Sequence, residues 1–415
     1  MDIDNGIDTT EGSHLSWRQV WDRRMARHGL TGTSSSGTAG TASPAPTPSR
    51  VADIVAAMCG AHAQVMSAAE LSIGARLGGG TRADVRAALD GADGLVKTYG
   101  PRGTVHLLAA RDLPMWTGAL SALPSGPNGL PQASRLTDRQ TEEVVEAIAV
   151  ALADADEGLT VEELSDAVVA ATGPWAGDLV MPAFQGMWPR WRQALHLAAH
   201  RGALCFGPDR GRKATYLSPE RRLPGFRPAP ADEALHSLVA RYLHAYGPAT
   251  PRQFAQWLAA PPAWAATLFD TLAAAGSLRP VDVEGSTGWL NAADDQEPDT
   301  ETPAAGTLRL LPYFDAYVVG CHPRDQLFPG PAAARALSRT GQAGNYPVLL
   351  VDGTVAGVWH LRRSGRKADL TVEPLARLSA ARRRALDEEA ARIGAFLDTT
   401  ALRVTVGPVT VGPHA

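Results

Sequence analysis

Two polar side chains, His62 and Gln64, flank a small Ala63 in the segment MCGAHAQVMSAAELSIGARL, residues 58–77. A neutral imidazole offers one hydrogen-bond donor and one acceptor, and a glutamine amide offers both kinds of group. Because the two side chains are one residue apart, both can reach a common ligand, and the pair is a candidate catalytic site. The alternative is that they hydrogen-bond backbone groups left unpaired at neighbouring helix ends.

The sequence on both sides predicts that this pair lies in a turn between two helices. The preceding run RVADIVAAMCG reads as a helix that stops at Gly60, a residue suited to the left-handed turn after a helix. The following run opens with SAAE, in which Ser67 and Glu70 predict a capping box for a helix starting near Ala68.

Composition limits the class of protein. At 415 residues the chain is long enough for two to four domains, at roughly 150 residues per domain. Its 45% hydrophobic and 20% charged residues are ordinary for a soluble globular protein. Three widely separated cysteines predict a reducing compartment and no zinc or iron–sulfur site. The acidic N-terminus is unlike a secretory signal and no apolar stretch is long enough to cross a bilayer, so we expect a cytoplasmic protein without membrane contact.

The chain repeats one order of elements three times. Each unit has helices followed by two strands around a turn, and helix, helix, helix, hairpin is the order of a winged helix. The region from 305 alternates as strands, with a hairpin signal at Asp352 and one long helix. The predicted fold class is α+β, with three tandem winged-helix units followed by a C-terminal β-barrel-like domain.

The predicted boundaries follow from composition and from these repeats. Residues 31–50 are rich in Ser, Thr, Gly and Pro without apolar periodicity and predict a flexible tether. The expected parts are an N-terminal helix in 1–30 packing on the first winged helix, that tether, winged helices at 51–125, 126–228 and 229–304, and a β-rich domain at 305–415.

Charge is distributed unevenly along the chain. The net charge of −4 argues against a uniformly basic nucleic-acid surface, because phosphate binding requires local positive charge. Four arginine-rich clusters begin at Arg23, Arg210, Arg362 and Arg382. Arginine contacts phosphate through two hydrogen bonds and enters narrow minor grooves, which makes these clusters candidate DNA contacts. The alternative for each cluster is a solvated helix face or turn.

Other polar residues have weaker chemical signatures. His196 and His200 in HLAAH share a helical face, but a zinc protease requires Glu at the position of Leu197. The alternative is a pair of partly buried or phosphate-facing histidines. In PYFDAYVVGCHPRDQL, Asp315 and Arg324 predict an ion pair that fixes a loop.

The hairpin PRGTVHLL carries two further candidates. Arg102 is expected at its tip and His106 on the strand that follows, so both side chains are expected to project toward whatever the first unit binds. The alternative is a wing that touches phosphate without taking part in chemistry.

Five segments occur in a specific order: WDRRMARHGL, CGAHAQ, RGTVHLLAARDL, LRLLPYFDAYVVG and VDGTVAGVWHLRR. With them the chain resembles the winged-helix DNA glycosylases typified by AlkZ and YcaQ, over about residues 15–400 apart from the tether. The resemblance implies three tandem winged helices and a C-terminal β-barrel around a DNA channel. It also implies hydrolysis of the N-glycosidic bond of N-alkylated purines, in some members at interstrand crosslinks, without a metal or organic cofactor.

The catalytic motif of that family is Gln-x-Gln in the AlkZ branch and Gln-x-Asp in the YcaQ branch, and it falls here on His62-Ala63-Gln64. The resemblance therefore implies that Gln64 orients a water beneath C1′ and stabilises positive charge on the sugar. His62 would hold the same water or accept its proton. Because a free histidine titrates near pH ~6.5, such a base predicts activity that falls in mild acid.

The implied partner is double-stranded DNA containing alkylated purines, bound by a monomer. The bias toward Ala, Gly, Pro and Arg indicates a bacterium with a GC-rich genome. The resemblance also implies a role in self-resistance, because some relatives protect bacteria that produce DNA-alkylating natural products. Bulky N7-guanine adducts are thus the expected substrates, with N7-methylguanine as a simpler one. The predicted DNA contacts are Arg102, His106, Arg210, Arg212, Lys213, Arg362, Arg363, Arg366 and Lys367.

Two other classes of function remain open from the sequence. A non-catalytic DNA-binding or regulatory protein would keep DNA affinity without His62 and Gln64 and would release no base. A protein-interaction scaffold would show no salt-dependent DNA binding.

Overall fold

The computed structural model describes residues 14–31 and 46–412, apart from 125, 127–128, 156, 184–185 and 297–305. Most of the predicted tether, residues 31–50, lies outside the described residues. The helices are α1 (Trp17–Arg27), α2 (Pro48–Ala57), α3 (Met66–Gly74), α4 (Arg82–Ala87), α5 (Leu113–Ser121), α6 (Asp138–Asp154), α7 (Val161–Thr172), α8 (Leu195–His200), α9 (Pro219–Arg222), α10 (Ala231–Tyr246), α11 (Pro251–Leu258), α12 (Pro262–Ala274), α13 (Ala316–Gly320), α14 (Arg324–Leu327), α15 (Pro331–Ala336) and α16 (Ala380–Phe396).

The strands are short in the first three quarters of the chain and longer near its end. They are β1 (His14–Leu15), β2 (Ala61–His62), β3 (Leu95–Tyr99), β4 (Val105–Ala109), β5 (Leu159–Thr160), β6 (Leu179–Ala183), β7 (Gly186–Pro189), β8 (Cys205–Arg210), β9 (Lys213–Leu217), β10 (Leu278–Val283), β11 (Ser286–Asn291), β12 (Leu308–Leu311), β13 (Val348–Val351), β14 (Thr354–Ser364), β15 (Lys367–Pro374) and β16 (Ala401–Val406).

The sheets show a mixed α+β architecture in which small sheets follow groups of helices. Three sheets have three strands each, in the orders β2-β4-β3, β5-β9-β8 and β1-β10-β11. A separate two-stranded hairpin joins β6 to β7. Within each three-stranded sheet two strands form the predicted antiparallel hairpin.

The C-terminal sheet has the linear order β12-β13-β14-β15-β16 and is open, so the described residues contain no closed barrel, contrary to the expected barrel-like domain. The outer edge of β12 meets α16 instead of another strand. There the backbone N–H of Leu310 donates to the Glu389 side chain at 3.0 Å. The helix satisfies the edge that a barrel would have to close.

Several helix starts agree with the capping residues in the sequence. Thr137, Thr160 and Thr250 each form a capping box with the residue three positions later. Helix α2 begins at Pro48, before the predicted run RVADIVAAMCG, because the Thr47 side chain accepts from the N–H of Arg50 and Pro48 occupies the first helical position. Before α8 the chain forms β7, which runs to Pro189, and then a 3₁₀ helix at Arg190–Ala194.

The first helical group, α2 to α4 with the β2-β4-β3 sheet, shares a hydrophobic core with the C-terminal sheet. Val55 and Ile73 from the first group lie in one buried cluster with Leu349, Trp359 and Leu370. The second helical group, α6 to α8 with the β5-β9-β8 sheet, has its own core around the fully buried Trp191. The packing therefore fixes the segment between α2 and α3 against the C-terminal domain.

Helix α1 does not pack mainly on the first helical group, as its sequence position suggested. Its buried Val20 lies in a cluster with Val281, Val283 and Leu290 of the third helical group, α10 to α12 with the β10–β11 hairpin. Strand β1 extends the β10–β11 sheet. The added strand hydrogen-bonds with the edge of that sheet, and the apolar face of α1 is buried against the same sheet. These two contacts hold α1 on the third group.

Two basic side chains of α1, Arg24 and Arg27, point inward. The guanidinium of Arg24, 1% exposed, donates to backbone carbonyls of Gly247, Pro248 and His322. Arg27 pairs with Asp294 at 2.5 Å. The cluster beginning at Arg23 therefore includes arginines that tie α1 to the third group and the C-terminal domain.

Candidate active site

The His62–Gln64 segment adds an edge strand to the first hairpin. His62 in β2 lies opposite His106 in β4, and the N–H of Ala63 donates to the carbonyl of Val105 at 2.7 Å. In extended backbone, alternate side chains point to opposite faces. Ala63 is accordingly buried, whereas His62 is half-buried and Gln64 is exposed. The pair lies on an edge strand and the bend after it, not in a simple turn. The side-chain carbonyl of Gln64 accepts a long hydrogen bond from the N–H of Val105, at 3.5 Å.

Glycine is required where the chain leaves α2 for this strand. Gly60 has φ +92°, and a Cβ there would lie 2.8 Å from the side chain of Leu108. A larger residue would have both an unfavourable backbone conformation and a steric clash. The expected left-handed glycine at the end of this helix is confirmed.

The helix after the pair begins differently from the expectation. Helix α3 begins at Met66, and its N-cap residue Val65 makes no side-chain cap. The Ser67–Glu70 capping box is therefore wrong. Glu70 is fully buried and forms ion pairs with Arg82 at 2.7 Å and Arg86 at 2.6 Å. Two guanidinium partners on α4 hold the carboxylate more strongly than one backbone amide would.

The His62 imidazole lies between two rings. Its centroid is 4.7 Å from the Phe314 ring and 5.2 Å from the His106 ring. Its Nδ1 atom is buried and has no hydrogen-bond partner among the described residues. Burial, with a smaller contribution from the nearby Arg102 charge, lowers the pKa of His62 to about 4. The ring is therefore neutral near pH 7 and keeps one unprotonated nitrogen.

His106 lies beneath the pair and not on an exposed wing. It is 4% exposed, and its Nδ1 lies 2.9 Å from the carbonyl of Thr104, so this nitrogen carries a proton. Burial and the Arg102 charge hold the pKa of His106 well below its usual range. A side chain so enclosed packs against His62 across the two strands, and this burial does not favour the predicted direct DNA contact by His106.

Arg102 occupies the hairpin tip as expected, but it points toward the protein. Its guanidinium donates to the carbonyl of Trp257 in α11 at 2.6 Å, and its backbone has φ +62°. The adjacent Gly103 approaches His196 of α8 so closely that a Cβ would lie 3.2 Å from that ring. The tip therefore packs between α8 and α11, and this inward orientation does not favour the predicted DNA contact by Arg102.

The two histidines of HLAAH serve this packing. Their ring centroids are 5.7 Å apart, and Nε2 of His200 lies 3.2 Å from the carbonyl of Gly100 in the first hairpin. Burial lowers the pKa of His200 to about 4. Within the described part of the chain no three His, Cys, Asp or Glu side chains converge as metal ligands.

Phe314, which covers His62, is held in an uncommon conformation. Its φ is +53°, and the next residue, Asp315, is fully buried and accepts two hydrogen bonds of 2.8 Å from Arg76 and one of 2.6 Å from Ser72. The expected Asp315–Arg324 pair is thus wrong, because Arg324 donates to backbone carbonyls instead. Strained aromatic residues persist only where the surroundings fix them, and this ion pair fixes Phe314.

The basic turn of the second hairpin is exposed. The Arg210 side chain pairs with Glu163 and Lys213 pairs with Glu162 at 3.4 Å, and Arg212 is exposed at the turn between them. These cations reach solvent while acidic side chains of α7 neutralise part of their charge.

The turn between β14 and β15 also presents its cations to solvent. Arg362 pairs with Asp369 at 2.8 Å and Arg366 with Asp398 at 2.9 Å. Arg363 and Lys367 are exposed in the same hairpin. Arg363 additionally lines a cavity that Val65 borders. The structure thus brings one predicted basic turn next to the His62–Gln64 segment.

Two features were missed from the sequence. The cavity beside Val65 has walls from α3 and the C-terminal sheet, and no local pattern announces contacts across such a separation. The β6–β7 hairpin exposes Leu179, Met187 and Trp188. Its β-prone residues around Gly186 carry an ordinary hairpin signal. Among the described helices none has the length and hydropathy to cross a bilayer.

Comparison with known proteins matches this arrangement over nearly the whole chain. A family model described as DNA glycosylase AlkZ-like matches residues 55–396. An interstrand DNA cross-link repair glycosylase of Streptomyces sahachiroi is 32% identical over 401 residues, covering 94% of this chain and 99% of the relative. The solved structure of Streptomyces sahachiroi DNA glycosylase AlkZ superposes with a TM-score of 0.75 at 29% identity, covering 95% of this chain and all of that one. The chain belongs to the AlkZ-like DNA glycosylase family.

Proposed function

We propose that this protein is a monofunctional DNA glycosylase acting on N-alkylated purines in double-stranded DNA, with bulky N7-guanine adducts of a genotoxic natural product as its preferred substrates. Its role would be DNA repair and self-resistance. The observation that carries the proposal is the placement of a neutral His62 on an edge strand, with an exposed Gln64 in the bend directly after it. The relative named for interstrand cross-link repair supports the substrate class.

The proposed reaction exchanges one bond at C1′ for another and moves one proton from water to the protein. Water oxygen bonds to C1′ of the sugar while the bond from C1′ to N9 breaks, and its electron pair goes to the purine. Alkylation has already made the purine cationic, so it leaves as a neutral base. The Gln64 carbonyl orients the water and stabilises positive charge developing on the sugar. His62 accepts the proton of the water through its unprotonated ring nitrogen.

The pKa of His62 changes what this mechanism predicts about pH. The sequence suggested activity that falls in mild acid. With burial holding the pKa of His62 to about 4, the base form persists down to that pH. A flat rate between pH 5.5 and 8 is thus compatible with His62 as the proton acceptor.

DNA contact is assigned to the exposed basic hairpins. The proposal retains Arg210, Arg212 and Lys213 of the second hairpin together with the cations of the β14–β15 turn: Arg362, Arg363, Arg366 and Lys367. It further treats the three helix-and-sheet groups as winged-helix units at 51–125, 126–228 and 229–304. Exposed arginines on separate hairpins suit a phosphate backbone, which is contacted at intervals along the duplex.

Base release from a duplex containing one N7-methylguanine tests the proposal, with alkali-sensitive strand cleavage as the readout. We expect cleavage by the wild-type protein and a loss of about 100-fold or more in Gln64→Ala, the size typical for loss of a group that stabilises transition-state charge. Gln132→Ala, which truncates an exposed glutamine elsewhere, is the matched control. Tight, salt-dependent DNA binding with no release of either N7-methylguanine or a bulky N7-guanine adduct would instead identify a non-catalytic DNA-binding protein.

A further inference from the structure

A cavity of about 320 Å³ opens beside the proposed active site. One wall is formed by Val65, Ala68 and Leu71 at the start of α3, and the opposite wall includes Trp359 and Leu361 of β14. Most of the lining is apolar. Val65 is 43% exposed at this cavity, so an apolar side chain remains available next to the reacting groups.

Two chain segments contribute to both the active site and the cavity. Val65, in the cavity wall, directly follows Gln64. Tyr313, also in the wall, directly precedes Phe314, whose ring covers His62 at 4.7 Å. Because the two regions are adjacent on two independent segments, a group attached to a base bound at His62 and Gln64 can enter the cavity.

Two guanidinium groups complete the lining. Arg82 is held by Glu70 through Nε at 2.7 Å, and Arg363 donates from Nη2 to the carbonyl of Leu397 at 3.3 Å. Each guanidinium has five N–H donors, and these contacts use one donor of each group. Apolar walls with a few fixed donors suit an apolar ligand that carries oxygen acceptors.

The volume distinguishes between sizes of substituent. Pockets of ~300 Å³ and above are typical for multi-ring ligands, whereas a methyl group would leave most of this volume empty. Apolar burial is favourable in proportion to the area removed from water, so a fused-ring substituent gains affinity here that a methyl group cannot.

We propose that this cavity binds the non-nucleobase part of the substrate, a fused-ring apolar substituent with oxygen acceptors, attached to the purine whose glycosidic bond is cleaved at His62 and Gln64. The inference rests on the proposed function and names the chemical class of adduct that the site prefers. Arg82 and Arg363 hydrogen-bond the oxygens of the substituent, while Leu71, Trp359 and Leu361 contact its rings.

The test compares single-turnover excision from two duplexes that differ only in the adduct. One carries N7-methylguanine and the other carries the N7-guanine adduct of aflatoxin B1, a fused-ring oxygen heterocycle. Ser67→Trp and Leu361→Trp fill the cavity from opposite walls. We expect the ratio of aflatoxin-adduct to methylguanine excision rates to fall at least about tenfold in both variants, the range for steric discrimination in apolar pockets.

Matched controls separate filling of the cavity from general perturbation. Ser67→Ala adds no volume, and Val150→Trp places a new indole on the exposed face of α6, so neither is expected to change the ratio. Arg363→Gln is expected to lower the ratio more than Arg362→Gln, since Arg362 belongs to the same strand but does not line the cavity.

The outcomes are distinguishable. An unchanged ratio in both tryptophan variants would overturn the inference and leave the glycosylase proposal intact, as would a wild-type protein that excises methylguanine but not the aflatoxin adduct. If the wild-type protein excises neither base, the proposed function itself fails and this inference fails with it. Variants on opposite walls keep the ratio measurable when one of them does not fold.

Discussion

The first and second hairpins have similar sequences but different environments. Both join two strands through a Gly-containing basic turn, PRG between β3 and β4 and RGRK around the β8–β9 turn. At the first tip Arg102 donates to the carbonyl of Trp257 at 2.6 Å. At the second, the side chains of Arg210 and Lys213 are 42% and 61% exposed and paired with acidic residues of α7.

The difference shows when a basic hairpin tip is available to phosphate. The first tip packs between α8 and α11, and its following strand carries His106 against His62. It therefore holds the candidate active site in place. The second tip carries exposed cations that pair with acidic side chains of α7 and not with backbone carbonyls, and this exposure suits DNA contact. Four predictions test this division of roles.

Removing the inward guanidinium should have the largest effect. Arg102→Ala loses a charge-assisted hydrogen bond and buried packing, which we expect to cost ~1.5–3 kcal/mol and lower Tm by roughly 5 °C. Arg102 lies at the tip that leads into β4, and β4 pairs with the strand that carries His62. Excision should therefore fall about tenfold, the size expected when supporting contacts of a site are lost. Calorimetry and single-turnover excision measure both. Arg212→Ala is the matched control, and an equal loss of Tm there would remove the distinction between the hairpins.

Charge reversal at the second hairpin should act on DNA binding alone. Replacing Arg210, Arg212 and Lys213 with Glu is expected to weaken binding to undamaged duplex at least ~10-fold and to reduce the slope of log K against log salt by about 2–3. Fluorescence anisotropy across a salt series measures this, with Arg139→Glu on α6 as the control. An unchanged slope would place this hairpin away from DNA.

The rate profile with pH should depend on the first hairpin. We expect background-corrected excision to stay flat from pH 5.5 to 8 and to decline only near the His62 pKa of about 4. Phe314→Ala exposes the imidazole, which favours its charged form, so the acid limb should move upward by ~1 pH unit. His62→Gln should abolish the limb. If Phe314→Ala left the limb in place, Phe314 would have no part in setting the state of His62.

Acid should lower the local stability of the first hairpin more than that of the second. This effect is expected to be the smallest of the four predicted. Burial lowers the pKa values of His62 and His200 to about 4 and that of His106 well below its usual range. Histidines of the unfolded chain titrate near ~6.5, so below that pH the unfolded chain binds more protons than the folded protein. The stability contributed by these neutral, buried histidines is therefore fully present above pH ~6.5 and is lost as the pH falls toward 4.

Hydrogen exchange detects that loss locally. Between pH 7 and 5.5, after correction for the intrinsic rate, amides of β3 and β4 should exchange about threefold to tenfold faster, while those of β8 and β9 should change less. Equal changes in both hairpins would show that the buried histidines do not act on the first hairpin selectively.

Local sequence signals correctly predicted the turn and helix-cap residues near the site. They did not predict which side chains form ion pairs with the buried carboxylates. Gly60 and the cap at Thr250 depend on neighbouring backbone, so the sequence revealed them. Glu70 and Asp315 each had a plausible local partner, but the fold provided closer guanidinium groups, Arg82 with Arg86 and Arg76 respectively. A buried carboxylate must be compensated by whatever cation the packing supplies, which is a property of distant segments.

The sequence by itself determined the order of helices and hairpins, the adjacency of His62 and Gln64, and the resemblance that pointed to the AlkZ-like family, because these depend on spacing within short segments. Only the tertiary structure decided that His62 lies beneath Phe314 with a lowered pKa, that Arg102 points inward, and that a cavity adjoins the site. Desolvation and cavity shape arise from segments far apart in the chain, which become neighbours only when the cores pack.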